Sequence, residues 1–146
     1  MKAGCIGGGP AGLYFAISIK LRDPGHEVIV YERNRADDTF GWGVVLSDET
    51  LDNLAANDAI SAAAIREHFS YWDDIAVHFK GTTQLSTGHG FCGIGRMRLL
   101  QILQERAREV GVDLRYETEI KDIDDLMQSH DIVVAPDGVN SIARGK

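Results

Sequence analysis

Cysteine and positive charge are both in short supply in this chain, and each shortage removes a class of explanation. Only two cysteines, Cys5 and Cys92, occur in 146 residues. They form no CxxC pair and no histidine stands at ligand spacing from either, so no metal-ligating pattern is written into them. Two buried or half-buried thiols are expected, with a disulfide as the alternative. Lys and Arg number 15 against 22 Asp and Glu, a net charge of −7. Nucleic acid and anionic membrane surfaces call for a basic face, so neither is expected as a partner. No apolar run approaches the about 18 residues that a membrane-crossing helix requires. The opening MKAGCIGGGPAG carries a lysine and a short apolar stretch, but glycines and a proline break it and make it a poor signal helix. A cytoplasmic location is expected.

What remains is an ordinary globular composition, 44% hydrophobic and 25% charged. A chain of this length buries roughly 68–70% of its unfolded surface in one core. No repeat, low-complexity segment or internal linker interrupts it. The whole of 1–146 therefore reads as a single α/β domain.

The hydrophobic pattern supplies the elements. Ala3 to Ile6 is short, apolar and bounded by glycine, as in a central parallel strand. Pro10 suits a first helical position, and apolar residues surround the helix from Ala11 to Leu21 until Asp23-Pro24-Gly25 ends it. Val28 to Tyr31 is a second β-branched strand, so strand, helix and strand form one βαβ unit. Ser47 caps a short helix through Leu54, and 61–68 reads as another. Ile75, Val77 and Phe79 alternate with polar or small neighbours, and Gly81 turns the chain back through Thr83 to Ser86. GHGFCGIG, 88–95, reads as a glycine-rich loop leading into a helix whose stripe is Leu99, Leu103, Ala107 and Val110, stopped by Gly111. Strands follow at 112–116 and 131–135, the latter ending in Pro136-Asp137-Gly138. The expected order of the parallel sheet is the 112–116 strand, the 28–31 strand, the first strand, then the 131–135 strand.

The stretch GCIGGGPAGL carries the chemistry. Gly7 permits a sharp turn out of the strand, Gly9 lets the backbone approach a pyrophosphate, and Gly12 lets helix and strand pack closely. The helix N-terminus opened by Pro10 and Ala11 offers free N–H groups and a partial positive charge. Glu32, twenty residues past Gly12 at the end of the second strand, can accept hydrogen bonds from an adenosine ribose. The bland alternatives are a ligand-free glycine turn and a solvated strand-end acid. An adenine dinucleotide is the expected ligand. A simple nicotinamide dehydrogenase would continue with further βα units, whereas this chain inserts an antiparallel piece at 74–86.

GGGPAGL, YER at 31–33, Arg96 in R-x-x-L-x-x-x-L and DIVVAPDGVNS at 131–141 together resemble the FAD-dependent aromatic-ring monooxygenases with the p-hydroxybenzoate hydroxylase fold. FGWGVVLSDETLDNL and GHGFCGIGR are similar to the N-terminal part of the salicylyl-CoA 5-hydroxylase and 2-aminobenzoyl-CoA monooxygenase/reductase group. The violacein-pathway hydroxylases are more distant. The resemblance implies a Rossmann-like FAD-binding domain, a parallel sheet flanked by helices with a small antiparallel insertion. It implies that Gly7, Gly9, Pro10, Ala11 and Gly12 hold the FAD pyrophosphate and that Glu32 binds the adenosine ribose. Arg33 would lie by the adenine or ribose, and Arg96 would reach the pyrophosphate or ribityl region. Asp137 and Gly138 would contribute to both FAD and NAD(P)H binding. An arginine fork suits phosphate, although Arg96 also reads as a plain helix-start residue and Asp137 as a turn residue.

The implied activity is hydroxylation of a small aromatic substrate, an aryl-CoA thioester, by O2 with NADH or NADPH as reductant. No catalytic residue and no metal ligand is assigned. Family members continue beyond this length through a substrate domain and a second Gly-Asp motif, neither of which is present, so the chain reads as the N-terminal portion. A non-catalytic nucleotide-binding module and an NAD(P)-dependent dehydrogenase domain are the alternatives. Two residues depart from the family pattern. Trp42 stands where many members carry an arginine, and Pro136 stands where a small residue is usual. His89 and Phe91 read either as substrate contacts or as plain loop residues.

Overall fold

The computed structural model describes residues 1–138, 141 and 143–145. Val139 and Asn140 of the DIVVAPDGVNS motif lie outside the described residues. The chain is α/β. Strands β1 (Lys2–Ile6), β2 (Glu27–Tyr31), β8 (Asp113–Arg115) and β9 (Ile132–Val134) form one parallel sheet in the order β8-β2-β1-β9, the order expected from sequence. In β1 and β2 alternate residues feed two cores. Ala3, Cys5, Val28 and Val30 face a large cluster with helices α1 (Pro10–Arg22), α3 (Ala59–Arg66) and α4 (Arg96–Glu109). Ile6, Ile29 and Tyr31 face a smaller one with α5 (Ile123–Ser129). This two-sided burial is why both strands read as continuous apolar runs.

The helices start and stop where local chemistry directs. Pro10 occupies the first turn of α1, and Lys20 at its far end donates to the carbonyls of Pro24 and His26. Ser47 accepts from the amide of Thr50 at the start of α2 (Asp48–Asn57), and Asp58 accepts from Ser61 at the start of α3. Gly111, at φ +83°, ends α4 in the left-handed conformation that favours glycine. Helix α3 begins two residues before the expected 61, because Asp58 rather than Ser61 is its cap.

The middle of the chain corrects the sequence reading. GHGFCGIG is not a loop throughout. Phe91–Gly95 is strand β7, the centre of an antiparallel sheet between β3 (Gly43–Leu46) and β4 (Ser70–Trp72). Its glycines disguise it, since glycine is a weak strand former. Gly93 is needed because an added Cβ would come within 3.0 Å of the Trp72 ring. Strands β5 (Ile75–Phe79) and β6 (Thr82–Ser86) form the expected hairpin. Its turn residues Lys80 and Gly81 both have positive φ, the geometry of a two-residue primed turn. The alternation in β5 does not mark a buried face, because every residue of both strands is exposed. Cys5 and Cys92 are buried and form no disulfide. Burial pushes the Cys5 thiol up to about 12.

Candidate nucleotide-binding site

At the carboxyl ends of β1, β2 and β9 the chain leaves the sheet and opens a groove of about 530 Å³. This lies within the range of roughly 300–1,000 Å³ usual for small-ligand clefts. Gly7 turns the chain out of β1 at φ +114°, and its amide still extends the ladder to the Tyr31 carbonyl at 2.8 Å. An added Cβ there would sit 3.0 Å from the Pro136 carbonyl oxygen, so the absence of a side chain lets the Pro136-Asp137 segment pass close by. A Cβ on Gly12 would overlap the Gly7 carbonyl oxygen, so α1 fits against the turn only with glycine at that position. Gly9, the cap residue of α1, has nothing within 4 Å of an added Cβ. The space above it is open, next to backbone N–H groups that no side chain caps.

Glu32 is held in the groove through both its backbone and its carboxylate. Its backbone amide donates to the Arg115 carbonyl at 2.8 Å and its carbonyl accepts from Thr118 at 2.9 Å. Its carboxylate is held by three donors. Gly8 N–H reaches Oε2 at 2.7 Å, and both the backbone amide and the side-chain Nδ2 of Asn34 reach Oε1 at 2.8 Å. The carboxylate thus clamps the glycine turn to the end of β2.

Across the groove, Arg96 opens α4. Its Nε donates to Thr39 Oγ1 at 3.2 Å, and its backbone amide donates to the Trp42 carbonyl at 3.1 Å. No carboxylate pairs with it among the described residues, and the first turn of α4 has no acid. A cation at a helix start opposes the helix dipole, so an anion in the groove would relieve the mismatch. A smaller cavity of about 80 Å³ shares Glu32, Asn34 and Arg96 and adds Tyr116. The Tyr116 hydroxyl is buried without a hydrogen-bond partner among the described residues. Burial raises its pKa, the nearby Glu32 charge adds to the rise, and Arg108 partly opposes it.

Of the sequence-derived residues, Gly7, Gly9, Glu32, Arg33, Arg96, Asp137 and Gly138 line one groove. Pro10, Ala11 and Gly12 lie behind it in the first turn of α1. Arg33 is exposed and forms no ion pair among the described residues. His89 stacks on Phe91 with ring centroids 5.3 Å apart and bonds Ser86; neither ring lines the groove. Trp42 is 99% exposed. Sequence reasoning missed Asn34, Phe40 and the segment from Thr118 to Ile120. The last of these was findable, because it follows a strand expected beside β2 and so must emerge at the same end of the sheet.

These residues fit the diphosphate and ribose of an adenine dinucleotide. Open backbone with free N–H groups suits a phosphate, a fixed carboxylate suits ribose hydroxyls, and opposite them stands a guanidinium with no carboxylate partner among the described residues. Residues 1–145 match the family described as FAD binding domain. A salicyloyl-CoA 5-hydroxylase from a Streptomyces species is 48% identical over 141 residues, 97% of this chain and 27% of that protein. A protodeoxyviolaceinate monooxygenase from Chromobacterium violaceum is 32% identical over 142 residues, 96% of this chain and 38% of that protein. Among solved structures, 2-methyl-3-hydroxypyridine-5-carboxylic acid oxygenase superposes with a TM-score of 0.69 at 26% identity, covering 81% of this chain and 32% of its own. FqzB superposes over 99% of this chain and 37% of its own with a TM-score of 0.78 at 24% identity, a likeness of fold. The chain spans about a third of the length of the curated relatives it matches.

Proposed function

This chain belongs to the FAD binding domain family, and from that premise we propose that it holds the adenosine diphosphate half of FAD within an aromatic hydroxylase. The observation that carries the reading is the pairing of an open Gly9 backbone with a Glu32 carboxylate fixed beside it in one groove. Gly7, Gly9 and the α1 N-terminus would hold the pyrophosphate, with the partial positive charge of the helix end directed at it. Glu32 would accept from the ribose hydroxyls. Arg33 would lie beside the adenosine, Arg96 would bring a fork of N–H donors to the phosphates or ribityl chain, and Asp137 and Gly138 would close the β9 side. When bound, FAD supplies electron transfer from a reduced nicotinamide, NADH or NADPH, and the reaction with O2.

The substrate we propose is a small aromatic acid carried as a CoA thioester, supported by the 48% identity to a salicyloyl-CoA 5-hydroxylase. Residues 1–146 form the FAD/NAD(P)-binding unit of this reading. A cytoplasmic location accompanies it, because reduced nicotinamide nucleotides are supplied there. Titration of the chain with FAD, followed by flavin fluorescence, tests the reading. Wild type is expected to bind, and Glu32→Ala to weaken binding by about 1–3 kcal/mol, the scale of a hydrogen bond to a charged group and of the donors left unpaired. Equal affinity in both proteins would remove Glu32 from the site, and absence of FAD binding would remove the reading.

A further inference from the structure

We propose that Asn34 is a positioning residue that fixes the Glu32 carboxylate for recognition of a vicinal diol. The inference rests on the adenosine reading above and adds to it the residue that makes Glu32 selective. A glutamate at a strand end has three side-chain torsions and would ordinarily sample several rotamers. Here both oxygens are pinned, Oε2 by Gly8 N–H at 2.7 Å and Oε1 by the two N–H groups of Asn34 at 2.8 Å each. Gly8 also bounds the side chain sterically, since an added Cβ would lie 3.0 Å from Glu32 Cβ.

A carboxylate offers about four lone-pair sites. Asn34 fills the two on Oε1 and Gly8 fills one on Oε2, so a single acceptor site remains, on the oxygen beside the glycine turn. The Asn34 carboxamide still has its second N–H and its carbonyl oxygen. Glu32 and Asn34 together therefore present an acceptor and a donor–acceptor group side by side, a match for two adjacent hydroxyls. A ligand lacking those hydroxyls would leave the pair unmatched, which is how a polar site rejects a deoxy analogue. Neither the motif spacing nor the family fingerprint assigns this to residue 34. It follows from the hydrogen bonds.

The test compares ADP with 2′,3′-dideoxy-ADP, each titrated into the 146-residue chain and followed by NMR. Wild type is expected to favour ADP. Asn34→Ala is expected to reduce that preference about three- to tenfold, the scale of one ordinary hydrogen bond, and to leave the dideoxy affinity unchanged. Asn34→Asp, which sets a second carboxylate against Oε1, is expected to reduce the preference further. In a Glu32→Ala background, Asn34→Ala should reduce the preference by less than it does in wild type, because only the contact of its own carboxamide is left to lose. A purely structural role would lower both affinities together. Thermal unfolding of each variant establishes that it is folded. Undiminished preference for ADP in both folded Asn34 variants overturns the inference and leaves the adenosine reading standing. Failure of wild type to bind ADP at all removes both.

Discussion

Arg106 grips Asp58 with two parallel hydrogen bonds, Nε to Oδ2 at 2.9 Å and Nη2 to Oδ1 at 3.0 Å, and so ties α4 to the cap of α3. The side chains are 13% and 3% exposed. Asp58 also accepts from Ser61 N–H as the α3 cap, so one carboxylate both starts a helix and docks its neighbour. Removing the cation leaves a buried charge with only a neutral donor. Arg106→Met is therefore expected to cost about 3–5 kcal/mol of stability, read from the urea midpoint.

The same pair sets an acid limit. Burial alone would raise the Asp58 pKa, but the Arg106 and Ser61 hydrogen bonds and the Arg106 charge outweigh it and hold it below the ordinary carboxylate value. A carboxyl depressed in the folded state contributes stability that is fully present above its unfolded pKa, about 3.9. That stability is lost as pH falls from there through the folded value. Wild type should weaken steeply below about pH 4. Asp58→Asn should be less stable at neutral pH and show a shallower acid slope. Parallel slopes in urea titrations from pH 3 to 7 would remove Asp58 as the source.

Glycines of one motif should fail in different ways. Gly9 sits at φ −73°, which any residue adopts, with open space around an added Cβ. Gly9→Val should fold with near wild-type stability and lose FAD binding, because its side chain would fill the space a pyrophosphate needs. Gly12→Ala should destabilise the fold itself, since its methyl group would collide with the Gly7 carbonyl oxygen rather than with a movable side chain. Thermal unfolding and FAD titration of the two variants separate the effects. A marked loss of stability in Gly9→Val, or none in Gly12→Ala, would contradict the geometry.

The sheet order was legible because β1 and β2 are buried on both faces and β9 beside β1 is likewise an apolar, β-branched run. The glycine fingerprint was legible because steric need leaves no other residue at Gly7 or Gly12. Strand β7 was not, since Gly93 answers to the Trp72 ring and the Val44 carbonyl, which belong to strands distant in sequence. The hairpin was legible as a hairpin but its exposure was not, because period-two alternation in β5 states which residues share a face and not whether anything covers it. Asn34 escaped notice because its role consists of two hydrogen bonds to a residue two positions away, a pattern that polar loop residues form throughout proteins.

Tyr116 offers a stability test free of any ligand. Its hydroxyl is buried with no partner among the described residues, and a buried unsatisfied polar group costs about 1–3 kcal/mol. Tyr116→Phe removes the hydroxyl and keeps the ring, so it should stabilise the protein by about 1 kcal/mol. A loss of stability would mean that the hydroxyl is paired in solution, through a water in the small cavity beside Glu32.

Turnover asks more of a site than binding does. Hydroxylation of a ring by O2 requires a site that keeps water from the reacting centre until oxygen is transferred. The groove of this chain is bounded on the α4 side by Phe40, which is 73% exposed, and Trp42 beyond it is 99% exposed. The relatives that carry out such reactions are about three times as long, and the enclosing wall is expected from the additional length. Supplied with FAD, NADH or NADPH, and salicylyl-CoA or benzoyl-CoA, these 146 residues should therefore yield no hydroxylated product. Any O2 consumed should be recovered as hydrogen peroxide. Chromatography of the CoA thioesters together with a peroxide assay reads both quantities at once. Hydroxylated thioester formed in proportion to nicotinamide oxidised would show that the groove alone can exclude water, and would overturn the division of labour argued here.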